Sequence, residues 1–166
     1  IRADNFIPKS SNLVTGFATW YHSENGSSEE VEGLWGAAYT VINSINVFID
    51  NLEQNWSSGK LNGIITETEK GQYRSEALTL RAIAYFDLLQ LYAKPYNLNA
   101  GANPGLPLRI KGMKSAAEND LARSTVAEVY TQILQDLNEA ETLRNKIISS
   151  YIDVYKKPST EDITTF

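Results

Sequence analysis

The stretch Glu76-Ala77-Leu78-Thr79-Leu80-Arg81-Ala82-Ile83-Ala84-Tyr85-Phe86-Asp87-Leu88-Leu89 decides the fold. Around it Tyr73, Ala77, Leu80, Ala84, Leu88 and Leu91 return every three or four positions, the spacing of one face of a helix and not of a strand. A helix is predicted from about Thr66 to Tyr92. Pro95 ends it, because the residue before a proline is pushed out of the α region. Arg81 stands on the apolar stripe beside Leu80, between Ala77 and Ala84. A guanidinium there needs a carboxylate, since a buried charge without a partner is costly. Glu76 lies on a different face, so the partner is expected from another helix. Asp136, which interrupts Ile133-Leu134 and Leu137, is the candidate. A structural ion pair fixing helix register is favoured over a ligand role.

On the N-terminal side, Leu34, Ala38, Val41 with Ile42, Ile45, Phe48 with Ile49, and Leu52 keep the same period. They predict a helix from Leu34 to about Glu53, broken by Ser57-Ser58-Gly59 and Gly63. Glu29, Glu30 and Glu32 read as preceding it, and Glu67 and Glu69 open the second helix, where negative charge suits a helix N-terminus. On the C-terminal side, Thr125 and Glu128 have the T-x-x-E spacing in which hydroxyl and carboxylate satisfy each other's free backbone N–H groups. Val126, Val129 with Tyr130, Ile133, Leu137, Ala140 and Leu143 then carry a third helix, Thr125 to Leu143. These stripes place Tyr39, Ile45, Leu80, Tyr85, Leu88, Val129, Ile133 and Leu137 inside. The expected fold is all-α, a single helical domain over 1–166 with long loops at about 1–33 and 94–123 and no βαβ order. Loops of that length are commonly functional or mobile.

With 166 residues the chain can bury a real core. It has no cysteine, which excludes a disulfide framework, a thiolate zinc site and a cysteine nucleophile. A net charge of -5 is the wrong sign for nucleic acid or an anionic membrane surface. No apolar run is long enough for a membrane span. Neither end carries targeting information or a terminal cap, so the sequence reads as a piece of a longer protein.

No catalytic residue, metal or cofactor is expected. Gly101-x-x-x-Gly105 runs into Leu106-Pro107 and offers no series of backbone N–H donors for a phosphate. His22 is the only histidine, too little for a zinc site without several carboxylates and poorly placed for a triad. The glutamates at the helix starts are accounted for by the helix dipole, and nothing places two of them as a glycosidase pair. The sequons at Asn25 and Asn55 are short enough to arise by chance.

Small Ala77, Ala82 and Ala84 among Tyr85, Phe86 and Tyr92 suggest the close packing of helical-hairpin repeats, and Ala82-x-x-x-Phe86 approaches the second half of a tetratricopeptide unit. Five blocks in order then resemble the SusD/RagB outer-membrane nutrient-binding lipoproteins. They are Leu34-Trp35-x-x-x-Tyr39-x-x-Ile42-x-x-x-Asn46; Glu76-Ala77-x-x-Leu80-Arg81-Ala82-x-x-Tyr85-Phe86-x-Leu88; Tyr92-x-x-Pro95; Gly105-Leu106-Pro107-Leu108; and Arg123-Ser124-Thr125-x-x-Glu128-Val129-Tyr130-x-x-Ile133-x-x-Asp136-Leu137-x-x-Ala140. Ser75 and Ala93 stand where the family commonly has glycine, and both are better helix formers.

The resemblance implies the N-terminal part of a SusD-like, tetratricopeptide-like scaffold, with the family's lipid-modified cysteine upstream of Ile1 and most of its chain beyond Phe166. It implies a protein that is not an enzyme, lipid-anchored at the outer membrane and cell surface. Such a protein binds an oligosaccharide or other nutrient and delivers it to a SusC-like TonB-dependent transporter. Sugar contacts in such proteins rest on aromatic rings with polar neighbours. Trp20, Tyr21 and Asn25, in a non-periodic loop before the first block, are the glycan-binding candidates. Against this stands the plainer role of Trp20 and Tyr21 as a cover for the scaffold; Trp35 is expected in the core and Trp56 at a helix end. The alternative function is a tetratricopeptide-type adaptor without glycan binding, and a glycoside-processing enzyme is the third class weighed.

Overall fold

The computed structural model describes residues 29–115 and 120–156. Among them there are three long helices and no strand: α1, Glu29–Ser57; α2, Glu67–Tyr92; and α3, Val126–Lys156, with a short 3-10 turn at Leu98–Gly101. None is long and apolar enough to cross a membrane. The chain divides into two compact units, Ile1–Val41 and Ile42–Phe166. Of the first, the described part is the opening of α1, where Trp35 and Tyr39 pack with ring centroids 4.9 Å apart and Thr40 Oγ1 donates to the Gly36 carbonyl. Both rings are half-buried.

Helix ends follow local chemistry. The glutamate run does not precede α1 but forms its first turn, as a favourable interaction with the free N–H groups allows. At its far end Gly59, at φ 74°, takes the left-handed position of a Schellman motif. There Lys60 N–H reaches Asn55 O and Gly59 N–H reaches Trp56 O. Thr66 caps α2 in a reciprocal box, accepting from Glu69 N–H while the Glu69 carboxylate accepts from Thr66 N–H at 2.7 Å. Thr125 and Glu128 repeat the arrangement at α3. In both, the backbone hydrogen bond from the threonine holds the glutamate carboxyl below its ordinary range. α3 continues well past the expected Leu143, to Lys156.

The core of the second unit joins all three helices. Ile45 and Ile49 of α1 meet Ala77 and Leu78 of α2 and Ala140 of α3, with Leu143 packed against them. Glu53, Arg74 and Glu139 tie the same three helices at the rim, where Arg74 Nε donates to Glu139 at 2.6 Å and Nη1 to Glu53 at 3.2 Å. Ile45, Tyr85, Leu88, Val129 and Ile133 lie inside as their spacing predicts. Leu80 and Leu137 do not: they are 56% and 40% exposed. α2 instead buries Ala77, Leu78, Arg81, Ala82, Tyr85, Leu88 and Leu89. Because Arg81 and Asp136 must both point inward to meet, each neighbour one position away, Leu80 and Leu137, is swung about 100° around its helix toward solvent. The buried stripe of α2 thus includes the charged Arg81 and leaves Leu80 outside.

Candidate functional site

The connection between α2 and α3 carries most of the long-range polar contacts. It starts where Ala93 turns extended after its N–H closes on Leu89 O. A turn follows in which Asn99 and Ala100 adopt left-handed backbone angles, φ 59° and 49°, costing about 1–2 kcal/mol for an L residue outside Asn or Gly. Pro104 bridges Thr125 in antiparallel fashion; Gly105 N–H donates to Ser124 O, and Ser124 N–H donates to Leu106 O. A Cβ on Gly105 would stand 2.8 Å from the Thr125 carbonyl carbon and the Val126 nitrogen, so only glycine lets the segment lie this close to the start of α3.

From Leu106 to Met113 the segment is a strap, held down by side chains from the helices. Tyr85 Oη donates to Arg109 O at 2.7 Å and accepts from Arg109 N–H at 2.6 Å. Asn46 Nδ2 donates to Arg109 O and Lys111 O, Asp50 accepts from Gly112 N–H, and Asn43 accepts from Met113 N–H. Beneath it, Arg81 Nε and Nη2 make a two-pronged pair with Asp136 at 2.7 Å each, while Nη1 donates to Asn46 Oδ1 and Ile110 O. Gln132 donates to the same carboxylate. The structure therefore brings Arg81 and Asp136 together, with relative exposures of 6% and 1%. Two charges out of water need this many hydrogen bonds. Among the described residues no buried side-chain nitrogen or oxygen lacks a partner. The network thus has its bonding capacity committed to holding the strap.

Burial pushes the Tyr85 hydroxyl up to about 12. Its folded value lies above the ordinary value near 10, so its contribution to stability is intact below pH 10 and is lost as pH rises toward 12. Chemical melts of the parent chain and Tyr85→Phe across that range should converge as pH rises; a difference that stays constant would show that the hydroxyl does not ionise late.

Trp20, Tyr21 and Asn25 lie outside the described residues, as does His22. Trp56 is half-buried at the end of α1 with Lys70 Nζ 5.3 Å from its ring centroid. A groove of about 820 Å³ runs between α2 and α3, lined by Gln72, Ser75, Glu76, Thr79, Leu80, Arg144, Ile147 and Ile148. Its lining mixes aliphatic with polar and charged side chains and includes no aromatic ring. No group of three potential metal ligands occurs among the described residues. Sequence reasoning missed the roles of Asn46, Tyr85, Asn43 and Asp50 in the strap. Asn46 carried a signal, since it follows Ile42 by one helical turn and so breaks an apolar stripe as Arg81 does.

A family model described as SusD-like, starch-binding and associating with the outer membrane matches residues 1–161. Among the solved structures that resemble the chain are three from Bacteroides species. A SusD superfamily protein from Bacteroides fragilis is 34% identical, with a TM-score of 0.66 over 78% of this chain and 28% of its own. A protein from Bacteroides vulgatus named for sugar binding is 27% identical, with a TM-score of 0.63 over 76% and 27%. A SusD superfamily protein from Bacteroides thetaiotaomicron is 26% identical, with a TM-score of 0.67 over 82% and 28%. The chain thus spans little more than a quarter of the length of these relatives. No curated protein matches it.

Proposed function

The chain belongs to the SusD-like family of starch-binding proteins associating with the outer membrane, and from this we propose that it binds an oligosaccharide without transforming it and passes it to a SusC-like, TonB-dependent transporter. The observation that carries the proposal is the match to that family over residues 1–161. The relative from Bacteroides vulgatus named for sugar binding supports it. The protein works at the outer membrane, held at the cell surface by a lipid anchor.

Trp20, Tyr21 and Asn25 form the glycan contact: two rings supply flat, rigid apolar area at little entropic cost, and the carboxamide reaches hydroxyls. Replacing Trp20 and Tyr21 together by alanine weakens oligosaccharide binding in isothermal titration and leaves the thermal midpoint nearly unchanged. If affinity stayed the same while the midpoint fell, these rings would be covering scaffold and the assignment of this loop would be wrong. Membership of the family would stand in either case.

A further inference from the structure

Three aromatic side chains that are distant in sequence converge beside the left-handed turn: Phe86 of α2, Tyr96 of the connection and Tyr130 of α3. Tyr130 meets Tyr96 edge to face at a centroid distance of 5.7 Å and 76°, and meets Phe86 at 6.5 Å and 67°. Tyr96 and Phe86 nevertheless remain 48% and 41% exposed. An exposed tyrosine in a connection is commonly free to move, but this one is fixed. The backbone at Gly101, at φ 78°, comes so close to the Tyr96 ring that a Cβ there would stand 2.6 Å from it. Asn99 and Ala100 adopt left-handed angles to bring Gly101 into that position. The turn is locked by Asn103 Nδ2 donating to Leu98 O and by Ala102 N–H donating to Asn99 O. Ala100 thus carries backbone strain beside an aromatic ring that the fold leaves half open, and strained residues cluster at ligand clamps.

The geometry points to a second oligosaccharide contact, in which the open side of Tyr96, flanked by Phe86 and Tyr130, stacks against a neutral pyranose ring. This rests on the glycan-binding reading above but uses a different surface from the loop of Trp20 and Tyr21. The chemistry favours a neutral sugar: the three rings carry no charge, and the adjacent exposed Asn97 and Asn99 provide uncharged donors and acceptors for hydroxyl groups. A ring already immobilised loses little further freedom on binding, which is the physical advantage of a fixed platform.

The test uses maltoheptaose, a neutral linear glucan, with the full chain. Tyr96→Leu keeps apolar bulk and removes the flat ring; it should weaken binding in isothermal titration by about tenfold, a difference of about 1.4 kcal/mol, at a temperature where circular dichroism shows the variant folded. In the parent chain, the ring resonances of Tyr96, assigned by comparison with Tyr96→Phe, should shift on titration, and should still shift in the Trp20→Ala/Tyr21→Ala variant. Binding by the parent chain with no change in Tyr96→Leu and silent Tyr96 resonances overturns the platform and leaves the proposed function standing. If maltoheptaose and comparable xylan and β-glucan oligosaccharides all fail to bind the parent chain, the platform and the glycan-binding reading fall together. If Tyr96→Leu is unstable, the resonances of the parent chain decide alone.

Discussion

Arg81→Met lowers the unfolding free energy by about 3–5 kcal/mol, the range for stripping one partner from a buried ion pair. The reason is what remains behind. Asp136, almost wholly buried, loses both prongs of its guanidinium partner and keeps only Gln132 Nε2 as a side-chain donor. Asn46 Oδ1 and Ile110 O lose their shared donor at the same time. Urea melts of the parent, Arg81→Met, Asp136→Leu and the double variant separate the pair from its surroundings. The double variant should be more stable than Arg81→Met, because it no longer buries a lone carboxylate. A loss near zero in Arg81→Met would mean that the side chain reaches water and that the strap does not depend on it.

Leu106→Ala costs about 2–5 kcal/mol through the lost transfer energy and the cavity left behind. Among the described residues of the connection, Leu106 is the one fully buried large side chain. Its neighbours cannot readily close over the gap. Ser124 fixes the backbone on one side, accepting from Gly105 N–H and donating to Leu106 O, and Tyr85 and Asn46 pin Arg109 on the other. Leu98, in the same connection and 51% exposed, is the internal comparison: Leu98→Ala should stay within about 0.5 kcal/mol of the parent. Equal effects of the two substitutions in denaturant melts would show that the connection contributes nothing to the core.

Three helices, the breaks between them and membership of the family could be read from the sequence, because the signals are local or linear. A glycine that can enter the left-handed region, a proline that forbids the α conformation just before it and a T-x-x-E box all act within a few residues. Family blocks such as Gly105-Leu106-Pro107-Leu108 are likewise read along the chain. That Arg81 requires a distant carboxylate also followed from sequence, since a cation on an apolar stripe has no local remedy. The acidic run at Glu29 falls inside α1 because apolar spacing marks the face of a helix and not its ends, and α3 outran its apolar period because a helix can continue without burying a face.

Tertiary packing alone decided that Leu80 and Leu137 face outward. α2 has apolar residues around much of its circumference, so its sequence was compatible with Leu80 inside or outside; the meeting of Arg81 and Asp136, 55 positions apart, chose outside. The strap from Leu106 to Met113 read as a loop because its backbone is paired with groups far away in sequence. Its N–H and C=O groups are satisfied by Asn43, Asn46, Asp50 and Tyr85, on helices that become neighbours only when the chain has folded. The gathering of Phe86, Tyr96 and Tyr130 arises in the same way, from three separate elements. Helix formation is governed by interactions three and four residues apart, whereas a strap and an aromatic platform need contacts between residues that sequence order leaves far apart.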